Sequence, residues 1–274
     1  MSSLCAIVVL YNPDVDLLRR NLASFVDDVD HILLWRNSSF DESFIQDFGE
    51  KVELCGDESN HGISHALNFA WHFAKSNGYD FIMTMDQDSL WENFGSFYRN
   101  ILSSDAPFGI YGPVVNSRLP DAPFREVDLV ITSGMVIPIS LLDKVGGFEE
   151  DFFVGCVDYE ICCHAKEIGE KVFVVGGGRL IQQYGRIALS QCKIFPKLLP
   201  QKSVRNYSAQ RMYEGYRNSL IIIRKYKHAV SFRKEFWRRQ CFPNLAIIAL
   251  YEKNSWPVLK AAVKGLWDGM RYKI

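Results

Sequence analysis
No apolar run in this chain reaches the roughly 18 residues that a membrane-spanning helix needs, so a membrane-embedded reading has no support. Paired-cysteine motifs are missing too. The seven cysteines, at 5, 55, 156, 162, 163, 192 and 241, are odd in number, scattered and never spaced C-x-x-C. That argues against a disulfide framework and points to reduced thiols in a cytoplasmic setting. Cys162, Cys163 and His164 are adjacent and invite a metal reading. Adjacent ligands without a second cluster make a poor zinc pattern, and ordinary packing explains them better. The opening stretch MSSLCAIVVLYNP has no basic n-region, so it reads as a first strand, not a signal peptide. Internal repeats and low-complexity tracts are absent. Acidic residues are scarce at one end: residues 191–274 hold 4 Asp/Glu against 18 Lys/Arg, whereas residues 1–190 hold 28 against 13. The overall net charge of −1 hides this division. An acidic body with a basic tail that meets something anionic is one reading; mutual attraction of the two halves is the other.

What is present fits a soluble α/β protein. The 274 residues suffice for a full core, and 48% hydrophobic with 23% charged residues is ordinary. CAIVVLY (5–11) is a continuous apolar run broken by Asn12-Pro13. Residues 14–28 have helical spacing through Leu17, Leu18, Leu22 and Phe25. HILLW (31–35) and VELCG (52–56) read as strands, Ser64–Ser76 as a helix, and FIMTMD (81–86) as a fourth strand. Apolar strands alternating with helices predict a mostly parallel sheet with helices on its faces. Further strands are expected at 108–115, 128–138 and 171–177, and helices at 141–145 and 157–169. From about residue 203 the pattern is helical.

Ligands of such sheets bind beyond the carboxyl ends of the strands. Tyr11, Asn12, Asn37, Asp86 and Asp88 all fall there. The pair Asp86 and Asp88 is i, i+2, so in an extended chain both carboxylates approach one species. Like charges that close need a cation or a shared proton. Oxygen ligands suit Mg²⁺ or Mn²⁺, and Mg²⁺ commonly takes one or two carboxylates plus substrate phosphates. D-Q-D at a strand end is therefore a candidate metal–diphosphate site, with a capped turn as the bland alternative.

Context extends this. V-V-L-Y-N-P (8–13), N-x-G-I-S-x-A-x-N (60–68), M-D-Q-D-S (85–89), T-S-G (132–134), G-G-F-E-E-D-F-F (146–153), V-D-Y-E (157–160) and Y-E-G-Y-R-N (213–218) follow in one order. The series resembles family 2 glycosyltransferases, in their bacterial rhamnosyltransferase-like branch, over roughly residues 5–225. The resemblance implies a GT-A fold with a Rossmann-like sheet, a nucleotide-diphosphate sugar donor such as dTDP-rhamnose or a UDP-sugar, a divalent metal (Mn²⁺ or Mg²⁺), and inversion at the anomeric carbon. A catalytic domain over 1–190 and a helical basic segment over 191–274 follow as the expected division.

By the same resemblance, Leu10, Tyr11 and Asn12 cradle the base and ribose, and Asn37 lies beside them. Asn60, Gly62 and Asn68 form a second nucleotide-contact stretch, with Gly62 allowing close backbone approach; Asn60 also suits a turn or cap. Asp86 and Asp88 hold the metal against the diphosphate. Asp158 is the base that takes the acceptor's proton. Glu160 is a weaker candidate, and a helix N-cap is the plain alternative for Asp158. Thr132-Ser133-Gly134 shapes the sugar pocket. Arg217, followed by Asn218, binds the diphosphate bidentately, unless it lies on a solvated helix face.

Three departures stand out. Arg36 replaces the aspartate that contacts the base, and Arg cannot accept the base N–H hydrogen bond. Gln182 replaces a histidine three residues before Gly185, and His164 stands where an arginine is usual. The leading expectation is an inverting sugar transferase acting on a glycan or lipid-linked acceptor in bacterial surface polysaccharide (O-antigen) synthesis. Its tail, with Trp237, Trp256 and Trp267 among Lys and Arg, would lie against the inner face of the cytoplasmic membrane or pack on the body. No nucleic-acid partner is expected. A degenerate member that binds sugar nucleotide or glycan without turnover is the alternative. A nucleotidyltransferase fits worse, because Asn12-Pro13 stands where a glycine-rich phosphate loop would be.

Overall fold
The computed structural model describes residues 2–120, 122–182, 188–253 and 255–274. The chain divides into two units, Met1–Phe153 with Val157–Gln183, and Val154–Cys156 with Tyr184–Ile274.

The first unit is α/β. Its strands are β1 (Leu4–Leu10), β2 (His31–Arg36), β3 (Val52–Cys55), β4 (Phe81–Asp86), β5 (Ser89–Glu92), β6 (Gly109–Val115), β7 (Phe124–Glu126), β8 (Met135–Pro138) and β9 (Lys171–Gln182). Among the described residues they form one sheet in the order β3-β2-β1-β4-β8-β6-β9-β5, with β7 also on β9. β3, β2, β1 and β4 run parallel, as do β6 and β9. β8, β5 and β7 are antiparallel to their neighbours. β1 is buried on both faces, which is why its sequence shows no alternation. Register places Cys55, Trp35, Val9 and Asp86 in one row across four parallel strands. That row is the carboxyl edge of the sheet.

The helices are α1 (Val15–Ala23), α2 (Ile63–Ser76), α3 (Phe94–Ile101), α4 (Ile139–Val145) and α5 (Val157–Glu167). Asp14 caps α1, accepting the Leu17 N–H at 3.0 Å, which explains the turn at Asn12-Pro13. α4 ends at Gly146 in the left-handed conformation (φ 80°). Within the expected strand 128–138 only 135–138 is strand. Gly134 has φ 76° and its N–H bonds Thr84 O at 2.7 Å, so the preceding residues turn out of the ladder.

The second unit carries a hairpin of β10 (Ala188–Ser190) and β11 (Lys202–Val204), then α6 (Ala209–Lys225), α7 (Val230–Glu235), a π-helical turn Phe236–Cys241, α8 (Phe242–Tyr251) and α9 (Ser255–Arg271). Ser208 caps α6 by accepting the Arg211 N–H at 3.1 Å. α6 therefore begins several residues after the expected 203. α9 packs on α6 through small residues: a Cβ on Gly265 would lie 2.4 Å from Tyr213 O, and one on Gly269 2.7 Å from Arg217 O. Among the described residues no helix is long and apolar enough to cross a membrane.

Candidate active site at the carboxyl edge
β4 delivers Asp86 to the sheet edge, and a two-residue turn places Asp88 before β5. Both are half-buried. The middle residue, Gln87, clamps the end of β1. Its Oε1 accepts the Tyr11 N–H at 2.8 Å and its Nε2 donates to Tyr11 O at 3.1 Å. From beneath, the Asn21 amide of α1 donates to Asp86 O at 3.0 Å and to Ser89 O. The turn carrying the two carboxylates is thus fixed from two sides by groups that sequence alone did not single out.

One loop connects Asp86 to Asp158. Ser133 Oγ accepts the Asp86 N–H at 3.1 Å. The backbone of the neighbouring Thr132 lies close enough to the Asp158 carboxyl to favour its charged form. Asp158 sits in the first turn of α5, where its Oδ1 accepts the Tyr159 N–H at 3.0 Å. Burial pushes its pKa up from the ordinary 3.8 to about 6, against the opposing pull of the Tyr159 N–H and the Thr132 backbone. A carboxyl whose pKa lies near 6 at a helix N-terminus suits a proton acceptor. Glu160, two residues further into α5, is buried, with His164 Nδ1 one turn on at 3.9 Å.

The expected nucleotide-contact residues behave differently from one another. Tyr11 is exposed at the edge, and Asn12 follows it in the left-handed conformation (φ 46°), its N–H bonded to Ser38 Oγ at 2.7 Å. Asn37 is buried and turned inward. Its Oδ1 accepts the Trp35 Nε1–H and the His61 N–H, both at 3.1 Å, and its Nδ2 reaches Gly62 O at 3.5 Å. Asn60 accepts the Gly62 N–H at 3.1 Å, which is the turn role. Asn68 is buried. Its Nδ2 donates to Phe148 O at 2.9 Å and Glu150 Oε1 at 2.6 Å, while its Oδ1 accepts the Phe148 N–H at 2.8 Å. Gly62 has φ 86°, and a Cβ there would meet Phe153 O at 2.6 Å. The group that approaches its backbone is therefore Phe153. With Ile63 N–H bonding Phe153 O and Ser64 Oγ bonding Phe152 O, both at 2.8 Å, residues 60–68 are a cradle for the 146–153 loop. That loop leads the chain towards Asp158.

Arg36 is committed as well. Its guanidinium donates to Glu42 Oε1 (2.9 Å), Glu58 Oε1 (3.2 Å) and Gly56 O (2.8 Å). The position that lacks the expected aspartate therefore carries two carboxylates gathered by an arginine. Gln182 lies beside the candidate carboxylate pair: its Nε2 donates to Asp86 Oδ2 at 3.1 Å. Gly185 lies outside the described residues.

Arg217 and Asn218 belong to the second unit. Arg217 donates to Asn218 Oδ1 (3.1 Å), faces Glu214 (3.6 Å) and stacks on Tyr272 (5.4 Å). Asn218 Nδ2 donates to Val154 O (3.2 Å) and Gly155 O (3.0 Å), the carbonyls just ahead of α5.

Among the described residues no three His, Cys, Asp or Glu gather as a metal cage. Cys162 and Cys163 are buried, which raises both thiols, Cys163 to about 12. Asp86 and Asp88 offer two hard oxygen ligands on a fixed turn. This donor set fits Mg²⁺ or Mn²⁺ that completes its shell with phosphate oxygens and water, not a closed protein cage.

No family model matches the chain. It is 22% identical over 298 aligned positions, spanning 98% of this chain and 96% of the relative, to dTDP-rhamnosyl transferase RfbF of Shigella flexneri. Among solved structures it is similar to GalNAc-T7 with UDP, GalNAc and Mn²⁺ (TM-score 0.64, 12% identity, 99% of this chain and 56% of that one). It is equally similar to S. aureus TarS with UDP-GlcNAc (TM-score 0.64, 14% identity, 98% and 81%). The chain spans little more than half of the GalNAc-T7 chain. The fold is α/β of the GT-A kind, as expected from sequence.

Proposed function
We propose that this chain is a glycosyltransferase that moves a sugar, with inversion, from a nucleoside-diphosphate donor to a hydroxyl of a glycan or lipid-linked acceptor. The observation that carries it is the Thr132-Ser133 pair. Ser133 holds the backbone of Asp86, and the backbone of Thr132 lies close enough to the Asp158 carboxyl to favour its charged form. A candidate diphosphate-binding carboxylate and a candidate base thereby border one loop. The near-full-length likeness to a protein named as a dTDP-rhamnosyl transferase supports rhamnose as the sugar and dTDP as the carrier. Structural neighbours bearing UDP or UDP-GlcNAc support the donor class.

In this reading Asp86 and Asp88 hold Mg²⁺ or Mn²⁺, which supplies charge neutralisation for the departing nucleoside diphosphate. Gln182 keeps Asp86 oriented. Tyr11 and Asn12 border the base and ribose. Asp158 accepts the acceptor's hydroxyl proton as that oxygen forms its bond to the anomeric carbon. The bond from that carbon to the diphosphate oxygen breaks, and its electron pair leaves with the nucleoside diphosphate.

Calorimetric titration with dTDP, UDP and GDP, each with and without Mn²⁺, tests the donor half. We expect metal-dependent binding of dTDP, lost in Asp88→Asn. The engagement of Arg36 and the replacement of a histidine by Gln182 favour a second reading, a binder without turnover. Release of dTDP from dTDP-rhamnose, abolished in Asp158→Asn while donor binding persists, decides for transfer. Donor binding without any turnover across a panel of acceptors decides for the binder.

A further inference from the structure
α9 is built the wrong way round for a helix that only completes a soluble core. Its inward stripe is made of small residues, Val258, Ala262, Gly265 and Gly269, all buried. Its large apolar residues face solvent: Trp256 is 67% exposed, Val263 59%, Trp267 51% and Met270 53%. Their spacing of 7, 4 and 3 residues places them on one side of the helix. A water-facing helix normally shows the reverse, and contiguous exposed apolar surface marks a binding face.

Cations border this stripe. Lys260 lies 5.1 Å over the Trp256 ring and Arg271 4.2 Å over the Trp267 ring. Lys264 pairs with Asp268 at 2.6 Å, so the free positive charge along the border comes from Lys260 and Arg271. Residues 191–274 carry 18 Lys/Arg against 4 Asp/Glu, so the surrounding field is positive. Exposed tryptophans beside lysine and arginine on one helical face match the boundary between lipid headgroups and acyl chains, with anionic lipid as the charge complement. Trp237 is set apart: it packs on Phe236 (5.0 Å) and Phe242 (5.7 Å).

We propose that the outward face of α9 docks on an anionic lipid bilayer, with Trp256, Val263, Trp267 and Met270 entering the interface and Lys260 and Arg271 meeting the headgroups. The attachment is peripheral. It is a property of this helix and does not depend on the donor site.

The test is sedimentation of the full chain with vesicles of phosphatidylethanolamine and phosphatidylglycerol, against vesicles of phosphatidylcholine. We expect binding to the anionic vesicles to be roughly tenfold or more tighter and to weaken as salt screens the headgroups. Trp256→Ser with Trp267→Ser is expected to lose roughly tenfold or more of it, and Lys260→Glu with Arg271→Glu to remove the anionic preference. Both pairs of side chains are exposed, so folding is preserved, and circular-dichroism melts of the same variants report it. Absence of vesicle binding, equal binding to both lipids, or wild-type binding by the double tryptophan variant overturns the proposal. So does a dimer in lipid-free sedimentation that the tryptophan variant dissolves, which would give this face to a second copy. Because vesicle binding needs no donor and circular-dichroism melts report the fold without one, failure here and failure of the transferase reading are separately visible.

Discussion
Burial holds the Asp158 carboxyl at about 6, some way above its ordinary 3.8. Folding therefore favours the protonated form. The stability this group contributes is full below about pH 4 and is lost as pH rises through 6. A base is needed ionised, so activity runs the other way and rises through the same window. We expect kcat/KM to fall on the acid side with an apparent pKa near 6. Asp158→Asn should lower kcat by roughly 10²–10⁴-fold. The same variant should gain about 1–3 kcal/mol at pH 7 in denaturant melts, with little gain at pH 4. A variant less stable than wild type at pH 7 would show that the carboxylate is held favourably. Arg36 offers a second residue-scale prediction. Restoring an aspartate there would remove donors from Glu42, Glu58 and Gly56 O and add a third carboxylate to the cluster. Arg36→Asp should cost about 1–3 kcal/mol and gain no nucleotide affinity, as thermal melts and calorimetry would report.

At the scale of elements, the site depends on loops tied across long sequence distances. Asn68 holds Phe148 and Glu150 from 80 residues away, and Gly62 admits Phe153. Gly62→Ala forces a side chain into a left-handed position and against a carbonyl. It should cost at least about 1–3 kcal/mol and displace the loop ahead of Asp158, lowering kcat more than nucleotide affinity. Equal losses in both would place the damage elsewhere. These ties also show what could be read in advance. Apolar runs ending at Asn12 and Asp86 placed β1 and β4, because buried parallel strands need unbroken apolar sequence. The start of α5 fixed Asp158 at a helix N-terminus. The short antiparallel β5 and β7 escaped notice, since three or four residues give no measurable period. The inward turn of Asn37 and Asn68 escaped too. An asparagine's local sequence does not say whether its amide meets ligand or a carbonyl far along the chain.

For the whole molecule, the division of charge was legible from counting, but its use was not. The same composition fits a tail that meets an anionic surface and one that attracts the acidic body, because a charge count carries no placement. Ligand linkage gives a global test of the donor site. At about 100 times its dissociation constant, dTDP with Mn²⁺ should raise stability by roughly 2.7 kcal/mol. A thermal shift that requires both components, and vanishes in Asp88→Asn, is the expected result. A shift produced by dTDP alone in that variant would remove the carboxylate pair from donor binding.

The hydrogen bond from Gln182 to Asp86 has a consequence for the shape of the pH profile. An imidazole at that spot would gain a proton in the range where Asp158 does, and two ionisations would steepen the acid limb. An amide does not titrate. Below pH 6 the logarithm of the rate should therefore fall with a slope of about one, the signature of a single proton.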